Sequence, residues 1–328
     1  MANDASRAGP GALDVRRERG VNLPWLRYGG DFGANAWRPH GGLATPEGRA
    51  EADATLAAIA DAGFDLVRWF VLADGRAGIR FAADGTPLGL DGWCLDDVSA
   101  ALDVAWRRGL RLVPVLFDFT WCRTARVEAG VQIGGRCEVL ASPRLRESLV
   151  AHVVAPLASR VAGHPALAAW DLFNEPEWVT FGYGGWRPRQ VVSVHAMRDL
   201  LSRAASVVGE VTSRPVTVGL ASTRGLGLTG TLDLDFYQVH WYDRLAHRAP
   251  LDEHVALFGL DRPVVLGEFP TRGSGSDAAA IVASARRSGY AAAWPWSWAA
   301  ADAWSDRDTV VRLGGRHAAG LPDRGALS

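Results

Sequence analysis

Eight short runs rich in Val, Leu and aromatic residues recur along the 328-residue chain, and Ala- and Arg-rich amphipathic stretches separate most of them. Short, nearly continuous apolar runs are what strands buried on both faces require, and helices between them supply the crossovers that parallel strands need. The runs lie at 20–26 (GVNLPWL), 65–71 (DLVRWFV), 111–117 (RLVPVLF), 167–173 (LAAWDLF), 215–220, 234–241, 263–267 and 290–298. Helices are expected at about 46–62, 96–108, 142–161 and 188–208, near 252–258, from 276 onward and near 301–313. Little helix is expected after the fifth run, where the Gly-rich stretch 225–230 follows. Ser142-Pro143 fits an N-cap with proline at the first helical position. Eight such units spread over the whole chain fit one closed (β/α)8 TIM barrel better than an open sheet, and such barrels often run to this length as one domain. The organisation expected is a polar N-terminal extension at 1–19, the barrel at 20–316 and a C-terminal tail at 317–328.

Composition removes several function classes. The formal net charge is −1, which offers no electrostatic footprint for nucleic acid or for an anionic membrane. All the basic charge is Arg, since the chain contains no Lys. No apolar run reaches the roughly 18 residues needed to span a bilayer. The first 20 residues are polar, carry Arg16, Arg17 and Arg19, and lack the apolar stretch of a secretory signal, so a cytoplasmic protein is expected. Cys94, Cys122 and Cys137 are odd in number and widely spaced, which fits reduced thiols better than a disulfide framework or a metal site.

In a barrel of this kind the active site lies at the C-terminal ends of the strands. Two strand ends carry a glutamate: the fourth closes on Asn174-Glu175-Pro176 and the seventh on Gly267-Glu268-Phe269. Both ends reach one rim, so the two carboxylates can face each other across the mouth. Glycoside hydrolysis needs such a pair, one acid to protonate the leaving oxygen and one carboxylate to attack or stabilise the anomeric carbon. For either glutamate alone, a rim carboxylate paired with arginine is an equal alternative. The chain also holds 14 Trp, and Trp25, Trp69, Trp121, Trp178 and Trp241 fall at or just after strand ends. Aromatic faces suit the apolar faces of sugar rings, although barrel packing accounts for about half of the Trp in the same reading. Asp118 after the third strand and Asp31 after the first are further polar rim candidates, with substrate contact and structural pairing both open.

Asn174-Glu175-Pro176 after an apolar strand, with Gly267-Glu268-Phe269 later, resembles the clan A glycoside hydrolases, most of all the family-five cellulase and β-mannanase type. The resemblance extends from Gly20 to about Trp298. It implies a retaining enzyme acting on β-mannosides or β-glucosides, with Glu175 as acid/base, Glu268 as nucleophile and no metal or organic cofactor. It also implies roles for four further positions. Arg68 corresponds to an arginine that keeps the nucleophile ionised, and Asn174 to a residue that binds the sugar 2-hydroxyl. His240-Trp241-Tyr242 resembles a His-x-Tyr motif in which the Tyr hydroxyl touches the nucleophile and the His contacts the substrate or the acid/base. The Trp-rich eighth strand resembles one whose Trp floors the reacting subsite; Trp298 is favoured, with Trp296 as the alternative. Glu177-Trp178 matches no role in the resemblance, and GYGG at 182–185 suggests a mobile loop beside the acid/base. The expected partner is an oligosaccharide or glycoside. Transglycosylation through the same intermediate, and a catalytically silent carbohydrate-binding barrel, are the alternatives.

Overall fold

The structure is a computed structural model that describes residues 13–243 and 251–317. Eight parallel strands form one sheet in sequence order and curl into a nearly closed barrel. They are β1 (Gly20–Asn22), β2 (Leu66–Phe70), β3 (Arg111–Asp118), β4 (Trp170–Asn174), β5 (Val216–Leu220), β6 (Tyr237–His240), β7 (Val264–Pro270) and β8 (Ala292–Trp296). The gap between β8 and β1 is stitched by Asn22. Its side-chain amide donates to the carbonyls of Gly267, Trp294 and Pro295, and its own carbonyl accepts from Trp298 N–H at 2.8 Å.

Alternation along each strand sorts side chains between two cores. Leu66, Val113, Phe236, Val265 and Trp294 fill the lower interior of the barrel, and Val15 packs beneath them. Val67, Trp69, Leu112, Leu172, Leu266 and Phe269 face outward into the shell shared with the helices. Gly20 is needed beside Trp294, because a Cβ there would lie 2.4 Å from the indole.

The expected helices are present with shifted ends. Pro46–Asp61 starts where Thr45 caps it and proline occupies the first turn. The third expected helix is broken: Pro143–Leu149 passes through a π turn, Val150–Val154, into Ala155–Val161. The widened turn falls against Pro156, which has no N–H to continue the regular ladder. The fourth begins at Val194 under the Ser193 cap, later than expected, and runs to Thr212. The last helix is Arg307–His317, later than the expected 301, because residues 299–306 fold over the barrel mouth. Two short antiparallel hairpins were not anticipated: Ile79–Phe81 with Pro87–Leu90, and Arg126–Glu128 with Val131–Ile133. Of the expected end segments, residues 1–12 and 318–328 lie outside the described residues. No described helix is long and apolar enough to cross a membrane.

The long connection after β1 is anchored by Asp97. Its buried carboxylate accepts from the N–H groups of Gly33, Gly42 and Ala44 at 2.6–3.0 Å, tying the loop to helix Cys94–Arg107. Asp97→Ala strands these donors in a buried place, so a loss of about 2–3 kcal/mol is expected, read as a lower midpoint in chemical denaturation. An unchanged midpoint would show that the loop is held by something else.

Candidate active site

The mouth of the barrel is a cleft of about 560 Å³ lined by Trp25, Tyr28, Phe70, Asp118, Arg123, Asn174, Glu175, Trp178, Tyr242, Glu268, Trp296, Asp302 and Trp304 among others. Strand irregularities aim its two glutamates. The β4–β5 register shifts between Asp171 and Asn174, and the β7–β8 register shifts between Leu266 and Phe269. An extra residue in one strand breaks the strict alternation and re-aims the side chains that follow. Thus Val265 faces inward and Leu266 outward, yet Glu268 reaches the cleft while Phe269 returns to the shell. Glu175 sits just beyond β4 in the left-handed region, with φ 52°. Its N–H donates to the Gly219 carbonyl at 2.6 Å, which holds that conformation in place.

Arg68 lies beneath both carboxylates, 1% exposed. Its Nη1 donates to Glu268 Oε1 at 2.5 Å and to Asn22 Oδ1 at 3.0 Å, Nη2 to Asn174 Oδ1 at 2.7 Å, and Nε to Asp171 Oδ2 at 2.8 Å. Burial works against its charge, and Asp171 and Glu268 more than restore it, so its pKa lies above the ordinary value. The Tyr242 hydroxyl donates to Glu268 Oε2 at 3.0 Å. His240 Nδ1 lies 2.9 Å from Glu175 Oε1 and 3.5 Å from Glu268 Oε2. The Trp178 indole N–H donates to Glu175 Oε2 at 2.7 Å. Asn174 is held by Asp118, whose Oδ2 accepts from its amide at 2.7 Å.

These neighbours separate two glutamates that are both buried. Burial pushes the Glu175 carboxyl up to about 7, against the weaker opposing pull of Trp178, Arg68 and Arg123. Burial also raises Glu268, but His240, Arg68 and Tyr242 all favour its charged form, and Arg68 does so in direct contact. Burial lowers His240 to about 4, leaving it neutral in the ordinary pH range, and holds Tyr242 well above the usual phenol value. Ligand atoms of Glu175, His240 and Glu268 all lie within 4.8 Å of one another, a spacing that a cation could span. The adjacent Arg68 guanidinium already neutralises Glu268 and would repel one, so this donor set suits proton transfer better than metal binding.

The residues anticipated from sequence fall into two groups. Glu175, Glu268, Arg68, Asn174, His240, Tyr242, Asp118, Trp178 and Trp296 are brought together. Trp298, the favoured floor, is not among them. It lies past the end of β8, where strand alternation no longer applies, and is buried against Phe64 with Arg307 over its ring. Trp296 takes the cleft position, its indole N–H donating to Asp302 at 2.8 Å. Asp31 is structural, accepting from the N–H groups of Leu26 and Arg27 and from the Trp69 indole. Trp69, Trp121 and Trp241 are buried, whereas Trp25 and Trp178 line the cleft. Residues not anticipated are Tyr28, Phe70, Arg123, Asp302 and Trp304 in the cleft, and Asn22, Asp171 and Gln238 below it. The Trp304 ring meets Tyr242 edge-on at 5.6 Å.

The buried Glu175 carboxyl sets a testable pH dependence of stability. Its folded pKa of about 7 lies above the ordinary 4.5, so ionisation disfavours the folded state progressively as pH rises from 4.5 through 7. A Glu175→Gln variant lacks this penalty. Its melting temperature relative to the native chain is therefore expected to climb between pH 4.5 and 7 and to level off above. A flat difference would mean that Glu175 ionises normally.

No protein-family model matches the chain. Over 319 residues it is 25% identical to the mannan endo-1,4-β-mannosidase of Mytilus edulis, covering 85% of this chain and 82% of that protein. The solved endo-1,4-β-mannanase of Eisenia fetida superposes with a TM-score of 0.76 at 21% identity, covering 96% and 95% of the two chains. A family-5 glycoside hydrolase from Streptomyces cattleya, solved in complex with Manβ1-4GlcNAc, gives a TM-score of 0.60 at 14% identity over 84% and 77%. With sequence likeness along most of both chains, the shared barrel, and glutamates near the ends of β4 and β7, the chain is a glycoside hydrolase, consistent with the clan A, family-five type.

Proposed function

We propose that the enzyme hydrolyses β-1,4-mannosidic linkages, in mannan and its oligosaccharides, with retention at the anomeric carbon. The observation that carries the mechanism is the pair of facing carboxylates with unlike surroundings. Oxygens of Glu175 and Glu268 lie within 4.8 Å, consistent with the roughly 5–5.5 Å carboxyl separation of retaining enzymes and shorter than the roughly 6.5–9.5 Å that leaves room for an inverting water. The mannose preference is supported by the Mytilus and Eisenia relatives, both named for action on mannan.

In this reading Glu268, kept anionic by Arg68 and Tyr242, attacks the anomeric carbon. Glu175, protonated below about pH 7, gives its proton to the glycosidic oxygen as that bond breaks. The product is a glycosyl ester on Glu268. Glu175, now ionised, takes a proton from water, and that water displaces Glu268 to release the sugar. Asn174, fixed between Arg68 and Asp118, is placed to hold the sugar 2-hydroxyl, and Trp296, Trp178 and Trp25 offer ring faces to the sugars. Catalysis requires protonated Glu175, so activity falls as pH rises through about 7; the acidic limb reports protonation of Glu268.

Activity on a panel of aryl β-glycosides and β-linked oligo- and polysaccharides is the direct test, and β-mannosides are expected to be turned over fastest. The panel also tests the roles of the two glutamates. With an aryl β-mannoside of good leaving group, Glu175→Ala is expected to accumulate glycosyl-enzyme, and added azide restores turnover to give the β-glycosyl azide. Glu268→Ala is expected to lose roughly 10⁴-fold or more on every substrate, as deletion of a nucleophile does, and any azide rescue gives the α-azide. The reverse stereochemistry would exchange the roles. Native rates in both variants would leave only a carbohydrate-binding barrel.

Trp296→Ala is expected to raise KM and lower kcat/KM by about tenfold, a loss of about 1–1.5 kcal/mol for one aromatic contact. Trp298→Ala should instead lower the melting temperature, by removal of a core ring. If Trp298→Ala alone changed KM, the cleft assignment of Trp296 would fall.

A further inference from the structure

Glu177, two residues beyond Glu175, is a buried carboxyl, pushed up to about 8 by burial against the pull of backbone N–H donors, that the mechanism above does not use. Its Oε2 accepts from Ala221 N–H at 3.0 Å and its Oε1 from Ser222 N–H at 3.2 Å, both just past the end of β5. Its own carbonyl accepts from Thr180, Gly184 and Gly185 N–H groups, closing the following loop. Glu177 lies in the short turn Pro176–Val179, which also carries Trp178, the indole donor to Glu175. One side chain therefore ties the turn bearing the Glu175 partner to the neighbouring strand. The neighbouring chain is shaped around it: a Cβ on Gly225 would lie 2.1 Å from Glu177 Oε1. Because Gly225 has a right-handed φ of −67°, the glycine is needed there for space and not for its backbone conformation.

We infer that Glu177 is a positioning residue for acid/base catalysis: its carboxyl oxygens clamp the turn to β5 and so hold Glu175 and Trp178 where the glycosidic oxygen is protonated. The inference rests on the reading of Glu175 as the acid. Glu177 touches neither substrate nor the reacting carboxyl; it acts through the turn. A misplaced acid has a signature that a general loss of folding does not share. Protonation matters most for a poor leaving group, so displacing Glu175 slows such substrates selectively.

The test compares kcat/KM for a dinitrophenyl β-mannoside, which needs little protonation, with that for an unsubstituted phenyl β-mannoside. Three variants are measured, each with its melting temperature. Glu177→Gln puts an amide N–H₂ where an acceptor is needed. Gly225→Ala leaves the Glu177 carboxyl chemically intact but pushes it from its seat. Glu175→Gln removes the acid itself and sets the limit, a selective loss of roughly 10²–10⁴-fold on the phenyl substrate. Glu177→Gln and Gly225→Ala are both expected to slow the phenyl substrate roughly ten- to hundredfold more than the dinitrophenyl one. Equal losses on the two substrates, or none, in folded Glu177→Gln and Gly225→Ala proteins would overturn the inference and make Glu177 a purely structural anchor. Should Glu175→Gln itself lose both substrates equally, the acid assignment fails, and the inference with it.

Discussion

A guanidinium removed from water is tolerated only where opposite charge and hydrogen bonds replace what solvation supplied. Arg68, on β2, meets that condition by contacting three other strands: Asn22 on β1, Asp171 and Asn174 on β4, and Glu268 on β7. Asn22, Asp171, Asn174 and Glu268 are thus positioned through one cation. Truncating one partner of such a buried pair typically destabilises by about 3–5 kcal/mol, because the remaining charge has no other partner. The same restriction is useful chemically. The hydrogen bonds to Arg68 leave Glu268 and Asn174 little freedom to reorient, so the site is organised before substrate arrives.

Room for this polar layer comes from the absence of side chains elsewhere. A Cβ on Gly219 would lie 2.6 Å from Arg68 Nη2 and 3.1 Å from Asp171 Oδ2, and one on Gly267 would lie 2.2 Å from Gln238 Cγ. Gln238 in turn donates to Asp171 Oδ2 at 2.6 Å beside Arg68 Nε, while Asp171 Oδ1 accepts from the N–H groups of Gly219 and Phe173. The layer rests on the apolar floor of Leu66, Val113, Phe236, Val265 and Trp294, which keeps water from Arg68 below. The cleft above is open to solvent and lined with aromatic rings. A polar layer between a sealed floor and an aromatic mouth raises the strength of each interaction in it, through the low local dielectric.

The barrel was legible because each strand reads as a short apolar run with an amphipathic stretch behind it. Glu175 and Glu268 were legible because they close two of those runs. Arg68, His240 and Tyr242 were legible through the resemblance to family-five motifs, each a polar residue near a strand end. Asn22, Asp171 and Gln238 carry the same kind of signal, polar residues within strands, but they face the interior below the rim, and nothing in one sequence says which strand charges meet. Asp302 and Trp304 come from a loop that folds back over the mouth, where no periodicity exists to be read. Trp296 and Trp298 illustrate the limit most directly. They share one face only while the strand lasts, and β8 ends at Trp296.

The asymmetry between the two glutamates does not arise from burial, which acts on both. It arises from which strand each one closes. Glu268 lies near the end of β7, and its oxygens come within reach of the guanidinium on β2 and the hydroxyl of Tyr242, donors that favour the anion. Glu175 follows β4 in a left-handed turn that swings it away from direct contact with Arg68, toward an indole N–H and a neutral imidazole. A neutral imidazole beside a carboxyl can share its proton without adding a positive charge; burial raises both carboxyls, and Glu268 has the direct contact with Arg68 that Glu175 lacks. The left-handed residue, an uncommon conformation for glutamate, is therefore the step at which backbone geometry becomes proton affinity. An extended backbone at 175 would continue β4 and, since Asn174 already faces Arg68, turn the carboxyl to the opposite face, away from Glu268 and the cleft.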